Sequence, residues 1–351
     1  MRTILSLDGG GLRGVIALGL LSQLEERLGG GPLASRFDLI GGTSTGAVIA
    51  TGLALGLPVP EILRFYTDLA PQVFRRTGFR LPGIHALFDE EPMEAHIRDI
   101  CGDRTLETSD LATHLALFVK RLDTDSVWTV TNNPAAPFWD DPPDGSYIGN
   151  RHYLLADLVR AATAAPHYFE PEPIPVARDD HGIFIDAGVT PYNNPALALL
   201  QLVAMPAQGF GWPLRAGQLR IVSVGTGAYR NQQSPDRLMS MTSGTLALNA
   251  LLSSVRHGGQ MIDDMLRLLG RDVRDGTAFL PDPLFEVLRL DVRLEREWLK
   301  RELGMTLSDR VLNRLRRMDD TTLPDVAWEI GARAGERILS DMAPGEVLPW
   351  A

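Results

Sequence analysis

The segment Gly42-Thr43-Ser44-Thr45-Gly46 has the form Gly-x-Ser-x-Gly. Chemically this pattern describes a sharp turn from strand into helix, in which glycines relieve the crowding around a serine hydroxyl held out for nucleophilic attack. In a chain with 34 glycines the pattern alone is weak, so its flanks decide. Phe37-Asp38-Leu39-Ile40 precedes it and an apolar stretch from Ala47 to Leu57 follows. The spacing predicts a strand, an elbow at Ser44 and a helix whose amino terminus favours negative charge beside the serine; the competing reading is a structural turn.

A second glycine cluster, Asp8-Gly9-Gly10-Gly11-Leu12-Arg13-Gly14, follows apolar Ile4, Leu5 and Leu7 and precedes Ala17, Leu21, Leu24 and Leu28 at helical spacing. Gly9, Gly11 and Gly14 satisfy Gly-x-Gly-x-x-Gly, so a dinucleotide-binding protein is the rival reading. That fold wants an acid at the end of the second strand, whereas this strand ends in Gly41-Gly42, and Asp8 is placed to repel a pyrophosphate. The preferred reading is a cluster of backbone N–H groups around Gly9, Gly10 and Gly11 aimed at an oxyanion.

A serine nucleophile needs a base. Of the seven histidines, only His257 follows the most promising acid, Asp186, and no motif surrounds it. Asp186 closes the apolar run Ile183-Phe184-Ile185, where a side chain can project into a crevice at the carboxyl edge of a sheet. The bland alternative is an aspartate capping its own turn.

These residues need a scaffold. Two successive strand-turn-helix units predict right-handed crossovers and a mainly parallel sheet with helices on both faces, a three-layer α/β sandwich. Leu115 to Val119, Val127 to Val130, Ile183 to Ile185 and Ile221 to Val224 are expected as strands, and Leu154 to Ala165 as a helix. A polar stretch from Tyr229 to Gly244 suggests a division into a catalytic domain, 1–230, and a mostly helical carboxy-terminal extension, 231–351, packed on it. Within the extension, Leu288, Leu290, Val292 and Leu294 alternate with Arg289, Asp291 and Arg293 as in a half-buried strand. Phe74 to Pro92, with Arg75, Arg76, Phe79 and Arg80, and Asn132 to Arg151 are candidate lipid-facing loops.

Composition narrows the function. The formal net charge is −10 and no basic block opposes it, so nucleic acid is not an expected partner. A single cysteine, Cys101, excludes an intrachain disulfide and a cysteine-based zinc site, and is expected to be a buried thiol. No cluster has metal-ligand spacing, and no metal or other cofactor is expected. The amino terminus reaches an acid and three glycines too soon for a signal-peptide hydrophobic region, and no apolar run spans a bilayer. A cytoplasmic protein with at most peripheral membrane contact is expected; the oligomeric state is left open.

Taken in order, Asp8 to Gly14, Gly42 to Gly46, Ala161 to Phe169, Asp186-Ala187-Gly188-Val189 with Asn193-Asn194-Pro195, and Ser223 to Gly227 resemble the patatin-like phospholipase family over residues 1 to about 230. The resemblance implies an α/β sandwich related to cytosolic phospholipase A2, and a catalytic pair, Ser44 and Asp186, with no histidine. It further implies an ester hydrolase acting on lipid esters through an acyl-enzyme, with the glycine turn as oxyanion hole and Arg13 either bracing that turn by pairing with a carboxylate or meeting a lipid phosphate. One departure is Ala187, where the family usually has glycine; it raises the question of whether a left-handed backbone is needed there. A non-catalytic lipid-binding module of the same fold is the other alternative.

Overall fold

Apolar residues alternate across the first strand and so set the layers. The computed structural model describes residues 1–74 and 86–348. In β1 (Arg2–Leu7), Leu5 and Leu7 enter one apolar cluster and Ile4 the other, so both faces of this strand are buried. One face is covered by α1 (Gly14–Arg27), α2 (Thr45–Ala54) and the helices Leu155–Ala162 and Pro324–Leu339. The other is covered by the helix Ala196–Ala204 and, through Ile262 and Leu266, by the long helix Ser243–Leu269. The result is the expected three-layer α/β sandwich.

The remaining strands are β2 (Leu39–Gly42), β3 (His114–Arg121), β4 (Ser126–Thr131), β5 (Glu172–Ala177), β6 (Asp180–Asp186), β7 (Leu219–Val224), β8 (Arg271–Asp272) and β9 (Glu286–Leu290). Strands β3, β2, β1, β7, β9 and β8 run parallel in that spatial order, while β4 and β6 are antiparallel to β3 and β5 is antiparallel to β6. The register around β3 positions the site. β4 occupies one edge of β3 along 116–121, so β2, paired at 114–117, and β6, paired at 119–121, must share the other edge. Two strands running in opposite directions therefore meet end to end on β3, and the end of β6 at Asp186 arrives above the end of β2 at Gly42. Asp186 thus reaches the carboxyl edge of the parallel strands from an antiparallel strand that descends onto it.

Helices predominate after residue 230, yet β8 and β9 belong to the same sheet, with β9 paired to β7 from Arg220↔Glu286 to Val224↔Leu290. The sheet therefore runs through the expected division at 230. The helix Pro324–Leu339 also packs backbone to backbone on α1: a Cβ on Gly19 would lie 2.6 Å from the Trp328 carbonyl oxygen, and one on Gly331 3.0 Å from the Ile16 carbonyl carbon. Only glycine allows so close a crossing. Within the expected strand 288–294, regular pairing stops at Leu290, and Val292 and Leu294 instead bracket Ala228 through hydrogen bonds of 2.8 Å.

Candidate active site

β2 ends at Gly42 and α2 begins at Thr45, which leaves two residues to reverse the chain. Ser44 takes the strain, with φ 57 and ψ −128. Such a conformation costs a non-glycine residue about 1 to 3 kcal/mol and persists only when its surroundings hold it. Here Thr43 Oγ1 donates to the Tyr192 carbonyl at 2.7 Å, Gly46 N–H to Thr43 O at 2.8 Å, and the hydroxyls of Thr45 and Tyr66 are bonded to each other. Glycine is required at 46, since a Cβ there would lie 2.8 Å from the Leu7 carbonyl carbon and 2.9 Å from Asp8 O. The Ser44 side chain makes no capping bond to α2, which leaves its hydroxyl available at the positive end of that helix.

Facing the serine, Asp186 is 3% exposed and its Oδ1 accepts the Gly188 N–H at 2.7 Å. Burial pushes its carboxyl up to about 6, against the pull of hydrogen bonds from the Ser44 hydroxyl and the Gly188 N–H. The two residues proposed from sequence are thus brought together. Ala187 opens a 3-10 turn with an ordinary negative φ, so no left-handed glycine is needed there. Gly188 is needed for space: a Cβ would sit 2.9 Å from Asp186 Oδ1.

The glycine loop follows β1, where neighbouring strands leave the central strand in opposite directions, the usual position for a crevice in such sheets. Gly9 lies against the serine, 3.1 Å separating a Cβ built on it from Ser44 Cβ. Its N–H, however, already donates to Asn193 O at 2.9 Å, and its carbonyl accepts Thr226 Oγ1 at 2.8 Å. This corrects the expectation that Gly9 supplies an oxyanion donor. Among the described residues, the N–H groups of Gly10 and Gly11 have no acceptor. Gly14 opens α1 directly against the Thr45 side chain, with no room for a Cβ.

Arg13 braces the turn, but through carbonyls rather than a carboxylate: it donates to Gly227 O at 2.8 Å and Gly10 O at 3.4 Å. The carboxylate beside it, Asp8, is also differently engaged than expected. Asp8 pairs with Arg289 at 2.6 Å, and Arg289 reaches Asp291 at 2.9 Å and Asp263 at 3.4 Å. Burial, opposed by Arg289, pushes the Asp8 carboxyl up to about 7. Arg289 and Asp291, expected on a solvent face by alternation, instead join Asp8 in a largely buried ionic cluster, which the helix Ser243–Leu269 closes through Asp263. Asp263 on that helix also accepts Asn194 Nδ2 at 2.9 Å.

Ser44 and Asp186 open onto a cavity of about 510 Å³ whose walls include Val48, Phe74, Met93, Leu252 and Val255. Phe74 packs on Phe88 and Phe169 at 5.0 and 5.9 Å, whereas Arg75, Arg76, Phe79, Arg80 and His85 lie outside the described residues. His167 lines the cavity, but among the described residues the hydrogen-bond partners of Asp186 are Ser44 and Gly188 and not this imidazole, and His257 is exposed on its helix. Cys101 is buried, which pushes its thiol up to about 11. Among the described residues no group of histidine, cysteine and acidic side chains could hold a metal, and no helix is long and apolar enough to cross a membrane. Asn193, Thr226 and Arg289 hold the loops in place, yet sequence reading assigned them no role. The first two were visible only as members of motif blocks, and the third resembled any polar residue of an amphipathic strand.

A serine elbow beneath a glycine loop on a three-layer α/β sandwich defines a serine-dependent hydrolase of carboxylic esters. The family model described as "Patatin-like phospholipase" matches residues 5–200, more than half of the chain, which therefore belongs to the patatin-like phospholipase family. It is 30% identical to the cUMP-AMP-activated phospholipase of Escherichia coli, over 77% of this chain and 78% of that one. Against the cGAMP-activated phospholipase of Pseudomonas aeruginosa (strain BWHPSA011 / Pa011) the identity is 30%, covering 72% and 73% of the two chains. The calcium-independent phospholipase A2-gamma of Mus musculus is 30% identical over 72% of this chain and 31% of its own length. The protein is a lipid hydrolase, and the dinucleotide-fold reading of Gly9 to Gly14 lapses with the family assignment.

Proposed function

We propose that this protein is a phospholipase A-type lipid acyl hydrolase that works through a Ser44–Asp186 dyad. The approach of Ser44 to a buried Asp186, which has no ion-pair partner among the described residues, at the wall of a mainly apolar cavity carries the reading. Asp186 takes the Ser44 proton as Oγ bonds to the ester carbonyl carbon, and the oxyanion accepts the Gly10 and Gly11 N–H groups. Collapse breaks the ester C–O bond, the leaving alcohol takes the proton back from Asp186, and the acyl group stays on Ser44. Water then gives a proton to Asp186 as its oxygen bonds to the acyl carbon; the acyl carbon–Ser44 Oγ bond breaks, Oγ takes the proton back from Asp186, and the fatty acid leaves. An aspartate near 3.9 is a feeble base, but one raised to about 6 by burial is better matched to this work. Each oxyanion donor is worth about 2.7 to 4 kcal/mol of barrier.

The test is hydrolysis of a short-chain nitrophenyl ester, with fluorophosphonate labelling, by wild type, Ser44→Ala, Asp186→Asn and His257→Ala. Turnover should vanish in the first two variants and persist in the third, and labelling should be lost in Ser44→Ala. Loss in His257→Ala with activity retained in Asp186→Asn overturns the dyad. Two bacterial relatives, each aligned over about three quarters of both chains, bear names that specify activation by a cyclic dinucleotide. We infer the same mode of control here: cUMP-AMP or cGAMP should raise the rate at least tenfold, and an unchanged rate with both removes this second reading.

A further inference from the structure

The cavity wall carries a concentration of positive charge that the dyad does not use. Arg13 from the glycine loop, Arg256 from the helix Ser243–Leu269 and Arg316, just after the helix Asp309–Leu315, converge on one aromatic ring. Their guanidinium carbons lie 5.6, 5.7 and 5.4 Å from the centre of the Tyr229 ring. All four residues line the cavity that contains Ser44.

Neutralisation is uneven among the cavity arginines. Arg317 is held by both carboxylate oxygens of Asp319, at 3.0 and 3.1 Å. Arg13 donates only to carbonyls, and Arg316 donates to Leu294 O at 2.7 Å and, at 3.5 Å, to Asn313 Oδ1. Arg256 has no hydrogen bond and no ion pair among the described residues. Attraction to an aromatic face stabilises an arginine by about 0.5 to 2 kcal/mol, and here three like charges share one ring. Such an arrangement is suited to an anion that sits between them.

The geometry points to Arg256, positioned by the Tyr229 ring and flanked by Arg13 and Arg316 on the same ring, as the receptor for a phosphodiester monoanion at the cavity wall. The inference rests on the lipid-ester reading of the same cavity. In a glycerophospholipid the phosphate is borne on the carbon next to an ester-bearing one. A carbonyl held at Ser44 with its chain along Val48, Phe74 and Met93 leaves the phosphate at the rim rather than in the apolar interior. Guanidinium suits this anion because its planar fork gives two parallel hydrogen bonds, which an ammonium cannot. A soluble phosphodiester presents the same chemistry, so the test must separate the two sources. Arg256 and Arg316 lie outside residues 5–200, so the family match does not reach them.

Binding is measured by calorimetry in a Ser44→Ala background, so that turnover plays no part, with Arg256 intact, Arg256→Gln or Arg256→Lys. Three ligands are titrated: dioctanoylphosphatidylglycerol and dioctanoylglycerol, each as monomers, and cGAMP. For a lipid headgroup, the ratio of phosphatidylglycerol to diacylglycerol affinity falls at least tenfold in Arg256→Gln and is partly restored in Arg256→Lys. For a soluble ligand, the cGAMP affinity shows that loss while the lipid ratio stays within twofold. If Arg256→Gln binds both phosphodiesters within twofold of the parent, or if the parent itself binds neither, the inference is overturned. Failure of the wild type to hydrolyse any ester, with the Arg256 effect present, would instead remove the hydrolase reading and leave the phosphodiester site standing.

Discussion

Replacing Asp186 by asparagine should remove activity and, near neutral pH, make the fold more stable. Burial moves the carboxyl from the usual 3.8 to about 6, roughly a hundredfold in proton affinity. At 1.36 kcal/mol for each tenfold, holding the charged form costs about 3 kcal/mol. The sign follows from comparing the two states. Below pH 4 the group is protonated in both folded and unfolded chains and costs nothing. From pH 4 to 6 the unfolded chain ionises first, so stability falls as pH rises, and above 6 the full penalty is present. Asparagine keeps the shape and can still accept the Gly188 N–H, and the value of about 6 already includes the pull of that bond and of the one from Ser44. The net gain should therefore be about 3 kcal/mol at pH 8, vanishing at pH 4. Urea unfolding of wild type and Asp186→Asn at the two pH values measures it. Asp8 and Glu172, whose carboxyls burial also pushes up to about 7, are common to both proteins and cancel. In parallel, kcat/KM for the wild type should lose activity on the acid side with an inflection near 6. A variant less stable than wild type at pH 8, or an inflection near 4, would refute the argument.

Other expectations follow from the loops and their supports. Gly11→Ala should lower kcat about 100-fold, because Gly11 has φ 58 and an added Cβ would lie 2.6 Å from Met318 O, displacing an oxyanion donor; ester kinetics within tenfold of wild type would count against it. Arg289→Gln should cost about 3 to 5 kcal/mol at pH 8, since it leaves Asp8, Asp263 and Asp291 without their shared cation, and calorimetric unfolding would show the loss. Hydrolysis should be unaffected by a chelator, because no ligand cluster for a divalent cation exists among the described residues; inactivation by EDTA that calcium reverses would contradict this.

Much of this protein was legible along the chain because its informative signals are local. Gly42 to Gly46 between two apolar segments already implied an elbow, since strand, turn and helix succeed one another within about fifteen residues. Asp8 to Gly14 implied a second glycine turn for the same reason. Asp186 could be named as a candidate because it ends an apolar run, but not joined to Ser44, which lies 142 positions away. That pairing is made by β3, one edge of which is shared by β2 and an antiparallel β6. Which glycine offers a free N–H was equally beyond a linear reading. It depends on Asn193 capturing Gly9 and on Thr226 capturing its carbonyl. The role of the last 120 residues belongs to the same class: Arg289 looks like a solvent-facing residue until a helix is laid over it, and Arg256 looks like any helix charge until Tyr229 brings Arg13 and Arg316 beside it. Residue type and spacing determine turns, helices and the chemistry a side chain can perform. Which side chains meet, and how burial alters their proton affinity, is decided by contacts between distant segments, because desolvation and hydrogen-bond partnership arise only when those segments pack.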